Sequence, residues 1–205
     1  MTTAQKISYF IGFALLAGSF IVIITLFSQE RIKANQHQAI LNALSQVLPT
    51  DEYDNDLLTD TLQINSPLLG TNETQTLYRA SKNGQYIAAV FTTVAPHGYN
   101  GAIKLLIGIR ENGQITGVRA IAHQETPGLG DRMETQKSQW IYTFNNQSLQ
   151  SLQDKEWAVK KDGGHFDEWT GATITPRAIV EAVHNALKYV EKNKKVIFNK
   201  NENTL

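Results

Sequence analysis

The hydrophobic and polar positions divide the chain into an apolar N-terminal segment and a longer, mixed remainder. Ile7–Phe27 is 21 residues long and carries no charge, and Lys6 and Glu30 are the charged residues that border it. At about 1.5 Å rise per residue, a helix of this length spans roughly 30 Å, the hydrocarbon thickness of a bilayer. The pattern predicts a transmembrane helix within residues 1–28. A cleaved signal peptide or a buried soluble helix fits less well, because the apolar segment is long and TLFSQER offers no small-x-small cleavage site.

The next region, residues 29–60, is predicted to be a helical stalk followed by an acidic loop. Ile40, Leu44 and Leu48 lie near helical spacing, and Pro49 ends the pattern. Residues 51–60 then contain five acidic side chains and no basic one. We expect a solvated loop rather than a cation site, since the glycine spacing of a calcium loop is missing.

From residue 76 onward the pattern shortens to that of β-strands. Two Asn-Gly pairs each separate two β-prone segments, which is the strongest local signal for a tight hairpin, because both central residues of that turn need positive φ. The segments are Thr76–Ser81 and Tyr86–Val94 around Asn83-Gly84, and Ala102–Arg110 and Gln114–Ala122 around Asn112-Gly113. Leu105–Ile109 is apolar on successive residues, so we expect this strand to be covered on both faces.

Helical signals dominate the rest of the chain. We expect a short helix after Asp131 with an apolar side, a brief strand at Trp157–Val159, a turn at Lys160–Gly164 and a final helix opened by Thr175-Pro176. The apolar stripe of the final helix consists of Ile179, Val180, Val183, Leu187 and Val190, and that of the short helix of Met133, Trp140, Ile141 and Phe144. The fold class is therefore α+β, with helices packed on an antiparallel sheet built from hairpins. The predicted domain covers residues 61–198, and 199–205 form a frayed tail.

Composition excludes several classes of partner and of chemical site. The 19 basic and 19 acidic residues give a net charge of zero, which offers no reason to expect nucleic acid as a partner. Cysteine is absent, and this excludes disulfides, thiolate zinc sites, iron–sulfur ligation and a cysteine nucleophile. The five histidines are scattered, so neither a metal site nor a catalytic residue is expected.

The most informative segment is Asp167–Arg177, DEWTGATITPR. It is a loop of small residues that runs into a helix N-terminus, whose unpaired N–H groups and positive dipole end attract phosphate. Gly171 and Ala172 allow another molecule to approach the backbone closely. The hydroxyls of Thr170, Thr173 and Thr175 lie beside this site, and the Arg177 side chain is a candidate for a further phosphate contact. Taken alone, the spacing is more typical of an ordinary capped helix.

The segment Asp167-x-x-Thr170-Gly171-Ala172-Thr173 resembles the D-x-x-[S/T]-G-A-T flavinylation motif of the FMN-binding domain family. GYNGAIKLLIGI (Gly98–Ile109), ETPGLGD (Glu125–Asp131), WAVKKDGGHFDEWTGATITPRA (Trp157–Ala178), the apolar N-terminus and the length extend this resemblance to the G subunits of Rnf (Rsx) electron transport complexes. The C subunit of the sodium-translocating NADH:quinone reductase is similar in plan, but it is longer and usually carries serine at the position of Thr170.

The resemblance implies a covalent FMN, attached by a flavin transferase through a phosphoester to Thr173. It also implies electron relay within a ferredoxin- or NADH-linked complex in the bacterial inner membrane, with the domain in the periplasm and other complex subunits as partners. As an isolated chain, such a carrier would exchange electrons only with artificial donors.

The same resemblance places the ETPGLGD loop in the flavin pocket. The candidate residues there are Glu125, Thr126, Gly128, Leu129 and Gly130, with Lys160 as a candidate charge partner and Trp169 as the best candidate for stacking on the flavin. Two other functions remain open on the sequence: a module that binds a phosphate ligand without a covalent bond, and a purely structural assembly subunit.

Overall fold

The computed structural model describes Gly18 and residues 38–199, and its centre is a five-stranded antiparallel sheet. The strands follow one another in sequence order across the sheet: β1 (Thr61–Ser66), β2 (Thr71–Lys82), β3 (Gln85–Gly98), β4 (Gly101–Arg110) and β5 (Ile115–Ala122). A long C-terminal helix, Ile174–Phe198, packs mainly against β3, and residues 38–45 are also helical. The predicted α+β class is confirmed.

The predicted membrane segment Ile7–Phe27 lies outside the described residues apart from Gly18, as do residues 29–37 of the predicted stalk and 200–205 of the predicted tail. Within the part of the chain that the structure describes, no helix is both long and apolar enough to cross a membrane.

Both predicted hairpins are present, but their turns differ. Asn83 and Gly84 have φ of 53° and 76°, as a tight two-residue turn requires. In the second hairpin only Gly113 has positive φ, because the loop is longer and the Arg110 N–H donates to the Gln114 carbonyl across it at 2.8 Å. The expected two-residue turn at Asn112-Gly113 is therefore wrong, although the strands it joins are correct.

Strand β1 was not predicted from the sequence. β1 pairs antiparallel with β2 and places Leu62 opposite Leu77. Only Leu62 and Ile64 of its six residues are buried, and its other side chains are polar or half-buried. A short edge strand of this kind obtains its stability from pairing with its neighbour, which a local pattern does not reveal. For the same reason β2 begins at Thr71 rather than Thr76.

Strand β4 is buried on both faces, as its apolar sequence predicted. Ile103, Leu105, Ile107 and Ile109 belong to the main core, which also holds the apolar stripe of the C-terminal helix. Leu106 belongs to a second core with Leu44, Val47, Leu48 and Leu57. Gly108 and Gly117 are paired across β4 and β5, and a Cβ on Gly117 would lie 2.9 Å from the Val47 Cα. The segment that follows the helical residues 38–45 thus closes the second face of the sheet.

The acidic loop is not simply solvated, which corrects the sequence prediction. Glu52 forms a bidentate ion pair with Arg110, with the shortest N–O distance at 2.8 Å. Asp60 binds Arg79 on β2 at 2.6 Å and accepts a hydrogen bond from the Tyr86 hydroxyl on β3 at 2.8 Å. These carboxylates fasten the loop to strands β2, β3 and β4.

The region between β5 and the C-terminal helix is irregular. In place of one short helix there are two 3₁₀ helices, Gly130–Met133 and Trp140–Phe144, and the predicted strand at Trp157–Val159 is reduced to a single bridge between Val159 and Phe166. The aromatic side chains of this region pack on one another, with Trp140 and Phe144 edge to face at 5.3 Å and Phe144 stacked on Phe166 at 4.6 Å. Side-chain packing, rather than regular backbone pairing, therefore holds this region in place.

Candidate functional site

A cavity of about 350 Å³ lies where three segments meet beside the start of the C-terminal helix. The segments are the turn between β3 and β4, the loop that follows β5 and the small-residue loop before the helix. Its volume is at the lower end of the range typical of small-molecule pockets. Its walls are formed by Tyr99, Glu125, Thr126, Leu129, Gly130, Gly171, Ala172, Thr173, Ile174 and Thr175.

Thr173 lies at the N-terminal end of the helix and lines this cavity. Its carbonyl accepts the first helical hydrogen bond from the Arg177 N–H at 3.4 Å, whereas its side chain makes no cap. Within residues 38–199, nothing that the structure describes forms a hydrogen bond with the Thr173 hydroxyl, and the residue is half-buried. The hydroxyl therefore remains free for another partner in the cavity.

The helix begins at Ile174, not at Thr175-Pro176 as the sequence suggested. Pro176 still falls in the first turn, where the N–H groups have no helical partner, so its missing donor costs nothing. Thr175 does not cap the helix because its hydroxyl is used elsewhere. The N–H groups of Ile174 and Thr175 remain at the cavity end of the helix, where the helix dipole favours negative charge.

Thr175 and Glu125 form a buried polar pair at the base of the cavity. The Thr175 hydroxyl donates to Glu125 Oε2, and Glu125 Oε1 accepts a hydrogen bond from the Asn100 N–H at 2.9 Å. Thr175 has no exposed surface and Glu125 is 4% exposed, so both polar groups depend on these bonds. The side-chain amide of Asn100 also donates a hydrogen bond to Thr126 Oγ1 at 3.0 Å. One carboxylate thus joins the helix start, the loop after β5 and the β3–β4 turn.

The loop after β5 is compact around its two glycines. Gly128 has a φ of 79°, and its N–H donates to Asp131 Oδ1 at 2.9 Å. This hydrogen bond, aided by Lys137, holds the pKa of the buried Asp131 carboxyl below its usual range. Gly130 has no room for a side chain, because a Cβ there would lie 2.7 Å from Glu125 Oε2. The loop turns its exposed Leu129 side chain into the cavity wall.

The structure brings together most of the predicted site residues. Glu125, Thr126, Leu129, Gly130, Gly171, Ala172, Thr173 and Thr175 all line the cavity, although Glu125 and Thr126 are distant in sequence from the small-residue loop. Gly128 is exposed and does not line the cavity, but its N–H hydrogen bond to Asp131 supports the loop.

Other predicted residues lie outside the cavity wall. Arg177 forms an ion pair with Asp162 at 2.5 Å, which lowers the pKa of Asp162, and Lys160 forms one with Asp167 at 2.5 Å. These residues are all exposed or nearly so, and Thr170 is exposed as well.

The Trp169 ring is buried and packs edge to face on Trp140, with ring centroids 4.9 Å apart. Its indole is therefore part of the core and is not presented to the cavity.

Two wall residues, Tyr99 and Ile174, were not among the predicted site residues. Tyr99 is part of the GYNG turn and Ile174 separates two threonines, so each occupies a position where a side chain is ordinarily solvent-facing. The two side chains come from separate segments of the chain. Only the folded structure shows that both are exposed on the wall of the same cavity.

Known proteins resemble this chain over the segments that form the cavity. The FMN-binding domain family matches residues 98–188, a range that contains every residue of the cavity wall. The chain is 45% identical over 192 residues to the G subunit of the ion-translocating oxidoreductase complex from Shewanella loihica, covering 93% of this chain and 91% of that protein. The corresponding G subunits from Pseudoalteromonas atlantica and Vibrio cholerae are 43% and 42% identical over 187 residues each, covering 91% of this chain and 87% and 90% of theirs. The chain therefore belongs to the family of ion-translocating oxidoreductase complex G subunits and carries an FMN-binding domain.

Proposed function

We propose that this chain is a membrane-anchored flavoprotein subunit that carries FMN through a phosphoester to Thr173 and relays electrons within an ion-translocating complex. The observation that carries the proposal is the unbonded Thr173 hydroxyl on the wall of a cavity within the FMN-binding domain.

The residues present fit a tethered flavin phosphate. In attachment, the Thr173 oxygen would bond to the FMN phosphorus while the phosphoanhydride bond of an activated flavin dinucleotide breaks; the hydroxyl proton and a nucleoside monophosphate leave, and the phosphodiester that forms keeps one negative charge. The N–H groups of Ile174 and Thr175 and the helix dipole at this end of the helix would stabilise that charge. Thr126, Leu129, Gly130, Gly171 and Ala172 form walls within reach of the attached group. The bound FMN would supply the redox chemistry, and the chain holds and shields it.

The exposed part of the motif suits a different task. Asp167 and Thr170 lie at the surface and not on the cavity wall. We assign these side chains to recognition by the flavin transferase during maturation, which needs accessible residues next to the acceptor hydroxyl. Arg177 and Lys160 are held by Asp162 and Asp167, so a direct contact with the flavin phosphate would require those ion pairs to open.

The cellular setting follows from the family and from the N-terminal segment. Ile7–Phe27 would anchor the chain in the bacterial inner membrane by a single pass, with the domain on the periplasmic side and the other complex subunits as its redox partners. The substrate in this scheme is electrons, passed between neighbouring subunits, and not a soluble metabolite.

Intact mass measurement tests the covalent bond. The full chain is produced together with a flavin transferase, and the wild type should show one FMN increment that maps to the peptide containing Thr173. Thr173→Ala should lose the increment and the in-gel flavin fluorescence, whereas Thr173→Ser keeps a hydroxyl and should retain both. A flavin that is released on denaturation would instead support non-covalent binding, and an increment on another hydroxyl would refute the assignment of Thr173.

A further inference from the structure

Exposed apolar side chains are concentrated at the cavity. Among the described residues, five large hydrophobic side chains are exposed, and three of them, Tyr99, Leu129 and Ile174, line this one cavity. They come from three separate segments of the chain, so their proximity is a property of the fold. Clustered exposed apolar surface of this kind marks a place where a ligand or partner is bound.

Tyr99 is the least covered of the three, with 65% of its surface exposed. Within residues 38–199, its ring has no aromatic or cationic partner and its hydroxyl no hydrogen bond in the described structure. Every tryptophan, by contrast, is buried in the core. Tyr99 is therefore the aromatic side chain that the cavity offers to a ligand.

The backbone around Tyr99 is fixed, so its ring is presented in a defined place. The backbone N–H of Asn100 donates a hydrogen bond to the buried Glu125 carboxylate, and its side-chain amide donates one to Thr126. Gly98 and Gly101 approach each other so closely that a Cβ on Gly98 would lie 2.3 Å from the Gly101 carbonyl oxygen. A turn held this tightly directs the intervening side chain into the cavity opening at little entropic cost on binding.

We infer that Tyr99 stacks on the isoalloxazine ring of the flavin attached to Thr173, with Leu129 and Ile174 as the other apolar contacts. The inference rests on the proposed function and deepens it by assigning the aromatic partner of the ring. The ring is flat, aromatic and tethered to a residue of the same cavity wall, so it matches the exposed tyrosine in shape and in polarity. Trp169, the stacking candidate suggested by the sequence, is instead engaged with Trp140.

Flavin fluorescence reports this contact, because a stacked phenol donates an electron to the excited flavin and quenches its emission. An aromatic contact shifts the ratio of stacked to open rings by about two- to tenfold. We therefore expect Tyr99→Leu to raise the fluorescence per attached FMN by at least about twofold and to weaken the visible circular dichroism of the flavin. The mass increment at Thr173 should be unchanged, since the acceptor hydroxyl is untouched.

Three further variants make the test specific. Tyr99→Phe keeps a stacking face but lacks the phenol, so fluorescence should rise while the visible circular dichroism is retained. Tyr99→Trp should restore the quenching. Tyr142→Phe is the matched control, since the Tyr142 ring packs under Arg119 at 4.5 Å and does not line the cavity; its fluorescence should equal that of the wild type.

The outcomes separate the inference from the function on which it rests. If attached FMN has wild-type fluorescence and circular dichroism in both Tyr99→Leu and Tyr99→Phe, the stacking inference is refuted and the covalent flavin stands. A wild-type chain without an FMN increment refutes the proposed function and the stacking inference together.

Discussion

Replacing Thr175 by valine tests whether the buried bond to Glu125 holds the cavity together. Valine has nearly the same shape as threonine, so the change removes the hydroxyl donor and leaves the packing of this fully buried residue almost intact. Glu125, which is only 4% exposed, then loses the hydrogen-bond donor of its Oε2 atom. Leaving a buried acceptor unsatisfied costs about 1–3 kcal/mol.

Thermal unfolding of the full chain, produced without a flavin transferase, measures this cost. For a protein of this size, 1 kcal/mol corresponds to a change of roughly 2–4 °C in Tm, so we expect Thr175→Val to lower Tm by roughly 2–12 °C. Thr173→Val is the matched control, because its hydroxyl is half-buried and unbonded. Its effect should stay within about 0.5 kcal/mol.

One result of this comparison would contradict the role given to the bond between Thr175 and Glu125. If Thr175→Val and Thr173→Val have the same Tm, the Thr175 hydroxyl contributes no more to the free energy of unfolding than the Thr173 hydroxyl does. Glu125 would then be satisfied without Thr175, and the view that one carboxylate joins the three cavity segments would be wrong.

Three further predictions concern other parts of the domain. Gly130→Ala should destabilise the chain by about 1–3 kcal/mol in urea unfolding, since its Cβ would collide with Glu125. An unchanged urea midpoint would show that the loop can shift to make room for the Cβ. Burial lowers the pKa of His184, so protonation favours the unfolded chain and stability should decline as pH falls below about 6.5; the decline should be smaller in His184→Gln. Glu52→Gln should cost about 0.5–1 kcal/mol at low salt and less at high salt, because the ion pair it weakens is partly exposed and screened.

The hairpins and the C-terminal helix could be predicted because their signals are local. Asn83-Gly84 supplies the positive φ that a tight turn needs, and the apolar stripe from Ile179 to Val190 matches the helical period. Strand β1 could not be predicted in the same way, since only two of its residues face the core and its position depends on pairing with β2. The 3₁₀ helix Trp140–Phe144 likewise depends on a contact that spacing does not reveal, since Phe144 stacks on Phe166 of a later segment.

The same division holds for the cavity. Sequence motifs identified most of its wall, but they could not show which threonine hydroxyl is free. Thr175 appeared to be a helix cap, and its actual partner, Glu125, lies 50 positions earlier in the chain. Side chains such as Arg177 appeared available for phosphate because their ion-pair partners, here Asp162, could not be read from spacing.

Two neighbouring threonines therefore have separate tasks in the proposed site. The Thr173 hydroxyl has no structural bond to lose, so the proposed modification by a phosphoryl group would leave the fold intact. The Thr175 hydroxyl is already committed to Glu125, and modifying it would break the contact that orders the cavity. In the proposed site, attachment of the flavin would therefore depend on Thr173 and the order of the cavity on Thr175 and Glu125, so a variant at one threonine would change one property without the other.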